Sequence, residues 1–389
     1  MTLSLPPLPA TLDVAAEFPS LKNWHFFQHS GVSPMPKRAA DAMRRYINES
    51  EADSYLTGGW YQRAEITRQR AAQLINADPK EIAFIKNTSE GLAFVAGGFD
   101  WKPGDEILST RSEYPANVYP WMSAAKRFGA KHVMVHERPD GRILPEDLFA
   151  AVTPHTRMIA ISHVEYASGF RTDIAAIGEF CRTHANARGE KILFCVDAIQ
   201  SMGTMPIDVR AMHIDYLSAG GHKWLLGPEG MGIFFCRLDL LDTLTPEVGA
   251  MNVINATDYS NIDFTLRPDA KRFECGGYNL AGAFALGASL GLILEVGIPT
   301  LWARIHVLTQ MIAEGVARKG YTVFSPRARE DECSGILSFS APDPRRHGEI
   351  IAALERKHVI LVEREKRLRA APHFYQSEEQ IQALINALP

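Results

Sequence analysis

Short apolar runs alternate with helix-like stretches through the first two-thirds of the chain. Glu81–Lys86 (EIAFIK) reads as a strand, followed by a turn and a helix through Gly91–Val95. Asp105–Ser109 reads as the next strand, with a helix near Trp121–Phe128. Lys131–Val135, Met158–Ser162, Ile192–Val196, Ile214–Ser218 and Gly232–Cys236 continue the strands, and Ile174–Thr183 is a helix among them. Such alternation predicts an α/β fold with a doubly wound, mostly parallel sheet. Strands such as ILFC at Ile192–Cys195 are apolar at successive positions, as burial on both faces requires.

The last quarter has a different pattern. Arg304–Lys319 is an amphipathic helix stopped by Gly320, and Tyr321–Phe324 and Gly335–Phe339 read as strands. Ser377 with Gln380 forms a capping box ahead of a helix whose face carries Ile381, Leu384, Ile385 and Leu388. This predicts a smaller α+β domain of residues 1–21 plus 290–389 beside a large domain of 22–289. A length of 389 residues fits such a division.

Composition narrows the function classes. Lys plus Arg number 41 against 45 Asp plus Glu, a net charge of −4, and no basic run points to nucleic acid. The five cysteines are scattered without a CxxC, so neither a metal site nor a disulfide framework is expected, and a reducing, cytoplasmic setting fits. The amino terminus lacks the basic start and apolar segment of a signal peptide. The uncharged run Cys275–Leu294 has membrane length, but its five glycines and polar start predict a buried helix after a tight loop.

Ligands of open α/β sheets sit beyond the carboxyl ends of the strands. Asn87-Thr88-Ser89-Glu90-Gly91 follows the first strand and opens a helix, which makes an anion site or a plain cap. Asp197-Ala198-Ile199-Gln200 follows another strand; its carboxylate is either a turn aspartate or the partner of a protonated ring nitrogen. Gly220-Gly221-His222-Lys223-Trp224 places a lysine between a strand end and the turn Gly227-Pro228. A partly dry lysine loses its proton more easily, which suits Schiff-base chemistry. A surface lysine is the plain alternative, and the flanking glycines and Trp224 argue for close packing instead.

These motifs, in this order, resemble the pyridoxal-phosphate-dependent aminotransferase class V family, which includes cysteine desulfurases and isopenicillin N epimerase-like proteins. The resemblance runs from about Phe26 to the carboxyl end and takes in Arg272–Gly277 and Leu368–Tyr375. It implies the fold of PLP-dependent transferases (aspartate aminotransferase-like, fold type I), pyridoxal 5'-phosphate as cofactor, an amino acid substrate and a homodimer. It implies that Lys223 forms the Schiff base and removes the α-proton, and that Asp197 pairs with the ring nitrogen. By the same resemblance Gln200 reaches the ring hydroxyl, and Thr88, Ser89 and His222 hold the phosphate. Tyr114 would stack on the ring, Arg369 would grip the substrate carboxylate, and His29 would lie near the substrate entrance. A core tyrosine, a solvated arginine and a structural turn histidine are the respective alternatives.

Several positions depart from the family pattern. Gly220 and Gly277 stand where relatives carry hydroxyl or other polar residues, and Gly277 matches a position that reaches the neighbouring subunit's phosphate. Tyr166, beside Glu165, stands where some relatives place an asparagine; the pair would tune substrate choice, with simple strand-end residues as the alternative. Known desulfurases carry a nucleophilic cysteine on a loop before the substrate arginine, whereas this chain reads LVEREKRLR over Leu361–Arg369. A persulfide-forming desulfurase of that type is therefore disfavoured, with Cys275 and Cys333 read as inert packing. Transamination is the first expectation; a C–S lyase, an epimerase and a non-catalytic scaffold are the alternatives. A nicotinamide dehydrogenase is not supported, because GPEGMG at Gly227–Gly232 fails the dinucleotide-binding spacing.

Overall fold

The structure, a computed structural model, describes residues 4–389, so residues 1–3 of the expected amino-terminal segment lie outside it. The strands in chain order are β1 (His25–Phe26), β2 (Ile82–Ile85), β3 (Glu106–Thr110), β4 (Lys131–Val135), β5 (Thr156–Ser162), β6 (Leu193–Asp197), β7 (Tyr216–Gly220) and β8 (Gly232–Cys236). Strands β2 to β8 form one sheet in the order β2-β8-β7-β6-β5-β3-β4, with only β8 reversed against its neighbours. Every residue of β2, β3, β6, β7 and β8 is buried. The edge strand β4 is partly exposed and opens on the charged Lys131, which discourages pairing beyond it.

Because six strands run the same way, six carboxyl ends meet along one rim of the sheet. The helix Thr88–Gly98 starts there directly after β2. Gly91 lets it lie against β7: a Cβ at this position would stand 2.4 Å from Ser218 Oγ. The predicted strands and the helix Ile174–Thr183 are all present, with ends shifted by one or two residues.

The helices Lys37–Ala52 and Trp60–Ile75 have no counterpart in the sequence reading. Both pack on Leu280–Val296, a buried apolar helix. Gly287 permits the contact, since a Cβ there would meet Thr67 Oγ1 at 2.1 Å. The glycines of this segment thus serve packing within the chain. The helix runs unbroken through residue 290 and bends by 83° at Gly297 into Ile298–Arg318. Among the described residues, no single helix is long and apolar enough to cross a membrane.

The remaining strands are β9 (Thr322–Val323), β10 (Leu337–Ser340), β11 (Val359–Ile360), β12 (Val362–Arg364) and β13 (Arg367–Ala370). Four of them form the antiparallel sheet β12-β13-β10-β9, while β11 pairs with β1. A separate hydrophobic core of Phe27, Leu308, Phe339, Leu368 and Leu384 supports this unit. Gln380 Oε1 accepts from the Ser377 N–H at 3.1 Å, as the capping-box reading requires.

Candidate active site

The rim of the large sheet holds the predicted groups in one place. The helix at Thr88 is fixed to β7 by two bonds: the Gly220 N–H donates to Thr88 Oγ1 and Ser218 Oγ donates to the Thr88 carbonyl, both at 2.9 Å. Asn87, not Thr88 or Ser89, is the side-chain cap, accepting from the Glu90 N–H. The first-turn N–H groups of Thr88 and Ser89 therefore remain available to an anion, aided by the helix dipole. Beyond β7 the chain folds back on itself. The Gly221 N–H donates to Met231, and the Gly227 N–H returns to the Gly221 carbonyl. Leu226, fully buried in this loop, takes a left-handed φ of 57°, a strained conformation held by its surroundings.

Lys223 projects from this loop with Nζ 5.7 Å from the Tyr114 ring centre. Trp224 anchors its base: Trp224 Nε1 donates to Gln200 Oε1 at 2.8 Å, and the Trp224 carbonyl lies 3.2 Å from His373 Nε2. Burial pulls the Lys223 amine down to about 8; Asp197 opposes that, while Arg369 and Arg364 add to it. The Asp197 carboxyl, at the end of β6, is pushed up to about 6 by burial against the pull of the Ile199 N–H and Lys223. One oxygen takes the Ile199 N–H at 3.0 Å, and the carboxylate retains capacity for a cationic N–H donor.

Arg369 comes from the small sheet, at the middle of β13 opposite Ser338 and Val362. It is buried, its Nη1 donates to the Tyr166 carbonyl at 2.6 Å, and its Nε has no hydrogen-bond partner among the described residues. Burial, with Arg364 adding, pulls its guanidinium down to about 10. A buried cation with an empty donor is an incomplete ion pair, and a carboxylate would complete it. The turn before it is tight: β12 and β13 are joined only by Glu365 and Lys366, both at positive φ, which fits a two-residue hairpin.

Other expectations fare unevenly. His29 is not at an entrance: it is fully buried, with Nδ1 against the Ala371 carbonyl at 2.7 Å and Nε2 against Tyr375 Oη at 2.6 Å. Both ring nitrogens are occupied, so the structural turn histidine is the reading the geometry supports. Gln200 is buried, with its amide shared between Trp224 and the Ser30 carbonyl. Tyr114 is half-exposed and available for stacking, and Tyr166 lies edge-on to it at 5.2 Å. His222 is half-buried beside Lys223. Gly277 and Cys275 are exposed and line a surface groove with Lys86, Glu90 and Gly230. Cys275 is thus not packed inside: the buried apolar helix begins only at Leu280.

Two buried carboxyls at the rim escaped the sequence reading as a pair. Glu113 accepts from the Ser162 N–H at 2.6 Å and from Ser162 Oγ and Asn117. Ser162 is the register partner of Asp197, so Glu113 stands behind that carboxylate, and burial pushes it up to about 7. Glu165, also buried, makes no well-aligned hydrogen bond through either carboxyl oxygen among the described residues, and burial pushes its pKa well up against the pull of the nearby Ser112 hydroxyl. Among the described residues, no group of three or more His, Cys, Asp or Glu is placed to hold a metal ion.

Known proteins resemble the chain over nearly its whole length. The profile of the family described as Aminotransferase class-V matches residues 25–384. A probable cysteine desulfurase from Pyrococcus abyssi is 29% identical over 397 residues, covering 97% of this chain and 96% of its own. The cystine C–S lyase C-DES in complex with cysteine persulfide superposes with a TM-score of 0.87 at 26% identity, covering 95% of this chain and 98% of the other. A C-DES mutant with glycine covalently linked to its PLP cofactor gives 0.89 at 26%, with 97% and 98% coverage. These likenesses and the mostly parallel sheet give fold type I of the PLP-dependent transferases, and the chain belongs to the pyridoxal-phosphate-dependent aminotransferase class V family.

Proposed function

We propose that the chain is a PLP-dependent C–S lyase, acting on an amino acid with sulfur on its β-carbon and releasing the sulfur product to solution. Bound pyridoxal phosphate supplies an aldehyde that captures amines and a ring that takes up the electron pair left at the substrate α-carbon. The residues present fit this group. The aspartate at the end of β6 suits a protonated ring nitrogen, the helix start at Thr88 and Ser89 with His222 suits the phosphate, and Tyr114 offers a face to the ring. Gln200 would lie along the ring's edge.

Arg369 grips the substrate α-carboxylate through its unfilled donor and orients the α-carbon. Lys223, whose amine is partly neutral near pH 8, takes the α-proton at Nζ. The Cβ–S bond then breaks and the sulfur leaves with the bonding pair, gaining a proton. Water completes the conversion of the remaining three-carbon unit to pyruvate and ammonia. The transamination put first by sequence needs the proton returned to the cofactor side; retention of the sulfur substituent would mark it.

The observation that carries the lyase reading is the tight Glu365–Lys366 turn. It leaves no cysteine-bearing loop beside Arg369. Cys181, Cys195, Cys236 and Cys333 are buried, with thiols pushed up by burial, and Cys275 faces the outer groove. A homodimer, in which Gly277 faces a neighbour, is part of the reading. The test is incubation of the holoenzyme with a panel of amino acids, assaying pyruvate, persulfide or sulfide, keto acid and inverted amino acid separately. Pyruvate with a stoichiometric sulfur product, unchanged in a Cys275→Ala variant, is expected. A keto acid that retains the side chain, or loss of sulfur release in Cys275→Ala, would contradict it.

A further inference from the structure

Glu113 directly precedes Tyr114 and is buried. Its carboxyl takes three donors. The Ser162 N–H reaches Oε1 at 2.6 Å, and Ser162 Oγ and Asn117 Nδ2 reach Oε2 at 2.5 and 2.9 Å. The orientation of the Asn117 amide is fixed, because its Oδ1 accepts from Trp121 Nε1 at 2.8 Å and an indole N–H only donates. Each Glu113 oxygen thus faces a group that can only give a hydrogen bond. A glutamine has the same shape but a single acceptor oxygen, so its amide NH2 group would meet a donor. Asn117 and Trp121 are fully buried, so a lost partner is not replaced from solvent.

This network touches both sides of the cofactor seat. On one side, Ser162 and Asp197 are register partners on β5 and β6, which puts their side chains on one face of the sheet at a strand spacing of about 4.8 Å. A Ser162 hydroxyl turned towards Asp197 would occupy the carboxylate oxygen that a ring N–H needs, and Glu113 draws that hydroxyl the other way. Among the described residues, the Asp197 carboxylate is left with the Ile199 N–H alone. On the other side, Tyr114 is bracketed by the same network. Glu113 precedes it, and the Asn117 N–H donates to its carbonyl at 2.8 Å. The Tyr114 ring is half-exposed, with Tyr166 edge-on to it, so where it stands depends on how its backbone is fixed.

We propose that Glu113 is a positioning residue for pyridoxal phosphate: it sets the Tyr114 ring and keeps the Asp197 carboxylate open, without touching the cofactor itself. A carboxylate is required at this position because both of its oxygens must accept. The inference rests on the cofactor seat of the proposed function and is independent of which substrate bond breaks.

Full-length variants are titrated with pyridoxal phosphate, and three quantities are measured: the Kd, the visible circular dichroism per bound cofactor and the Tm of the cofactor-free chain. Glu113→Gln should weaken binding about tenfold or more and reduce the dichroism, which reports how the ring is held. Adding Asn117→Asp exchanges donor for acceptor one step along the network and should restore both. Ser162→Ala removes a single bond and should shift both readouts the same way by less; it decides the matter if Glu113→Gln does not fold. Asp197→Ala is the control for the seat. Wild-type binding in that variant would sink the cofactor placement itself, whereas loss there with none in Glu113→Gln would remove this inference alone. A fall in Tm with binding and dichroism unchanged, or a loss that Asn117→Asp fails to restore, overturns the positioning role.

Discussion

Two arginines, equally hidden, behave in opposite ways. Arg68 is 1% exposed and Arg369 is 2% exposed. Arg68 is surrounded by acceptors: Glu274 at 2.8 and 3.2 Å, Glu65, and the Ile82 carbonyl, with the Phe84 ring 4.2 Å beneath it. Burial opposes its charge, but Glu274 together with Glu65 and Tyr278 outweighs burial and its pKa rises. Arg369 has one carbonyl and an empty Nε, and its pKa falls. The first is a finished ion pair that fixes the helix Trp60–Ile75 to β2. The second is a half-made pair held in place by the fold around it, and in the proposed function the substrate carboxylate is its missing half. Burial alone does not distinguish structure from function; the filling of the donors does.

Substituting each arginine by an apolar residue of similar length should separate these roles. Arg369→Met is expected to lower kcat/KM by about 100-fold or more, because a charge-assisted pair with the substrate is lost. Its Tm should hold or rise, since an unfilled buried charge has been removed. Matched thermal melts and steady-state kinetics check both parts; a large fall in Tm would place Arg369 among the structural pairs. Arg68→Met should do the converse. Stranding Glu274 costs about 3–5 kcal/mol of stability, read by urea unfolding, with KM unchanged. A KM effect without destabilisation would erase the contrast.

His29 extends the comparison to a neutral group. Its two ring nitrogens are filled, and burial pulls it down to about 4 despite the Ala371 carbonyl. The folded value lies below the ordinary 6.5, so the unfolded chain binds the extra proton. Stability from this source is complete above pH 6.5 and is lost as pH falls towards 4, by about 3 kcal/mol in all. Urea unfolding at pH 7 and pH 5 should show the decline, and an unchanged midpoint would show that His29 is not held neutral.

The same contrast explains what was legible in the sequence. Asp197, Lys223 and the Asn87–Gly91 turn could be read because each directly follows an apolar strand, so position along the chain alone puts it on the rim. The long-range partners could not. Glu113 meets Ser162, Trp224 meets Gln200, and His29 meets Tyr375 across stretches no local pattern links. The helix Trp60–Ile75 is hard to read in the sequence because it turns Thr67 and Arg68 inward, which blurs the apolar stripe a helix normally shows. The two distant partners of His29, the Ala371 carbonyl and the Tyr375 hydroxyl, are invisible in its local sequence. Cys275 reads as core in the sequence because the apolar run begins five residues before the helix does.

The central claim of the proposed function is a covalent bond at one nitrogen: the cofactor would be joined to Lys223 Nζ, in the site that also holds Asp197 and Arg369. Borohydride reduction of the purified holoenzyme, followed by peptide mass mapping, tests it directly. The account predicts a single pyridoxyl adduct on the peptide containing Lys223. An adduct on any other lysine, with Lys223 unmodified, would contradict it.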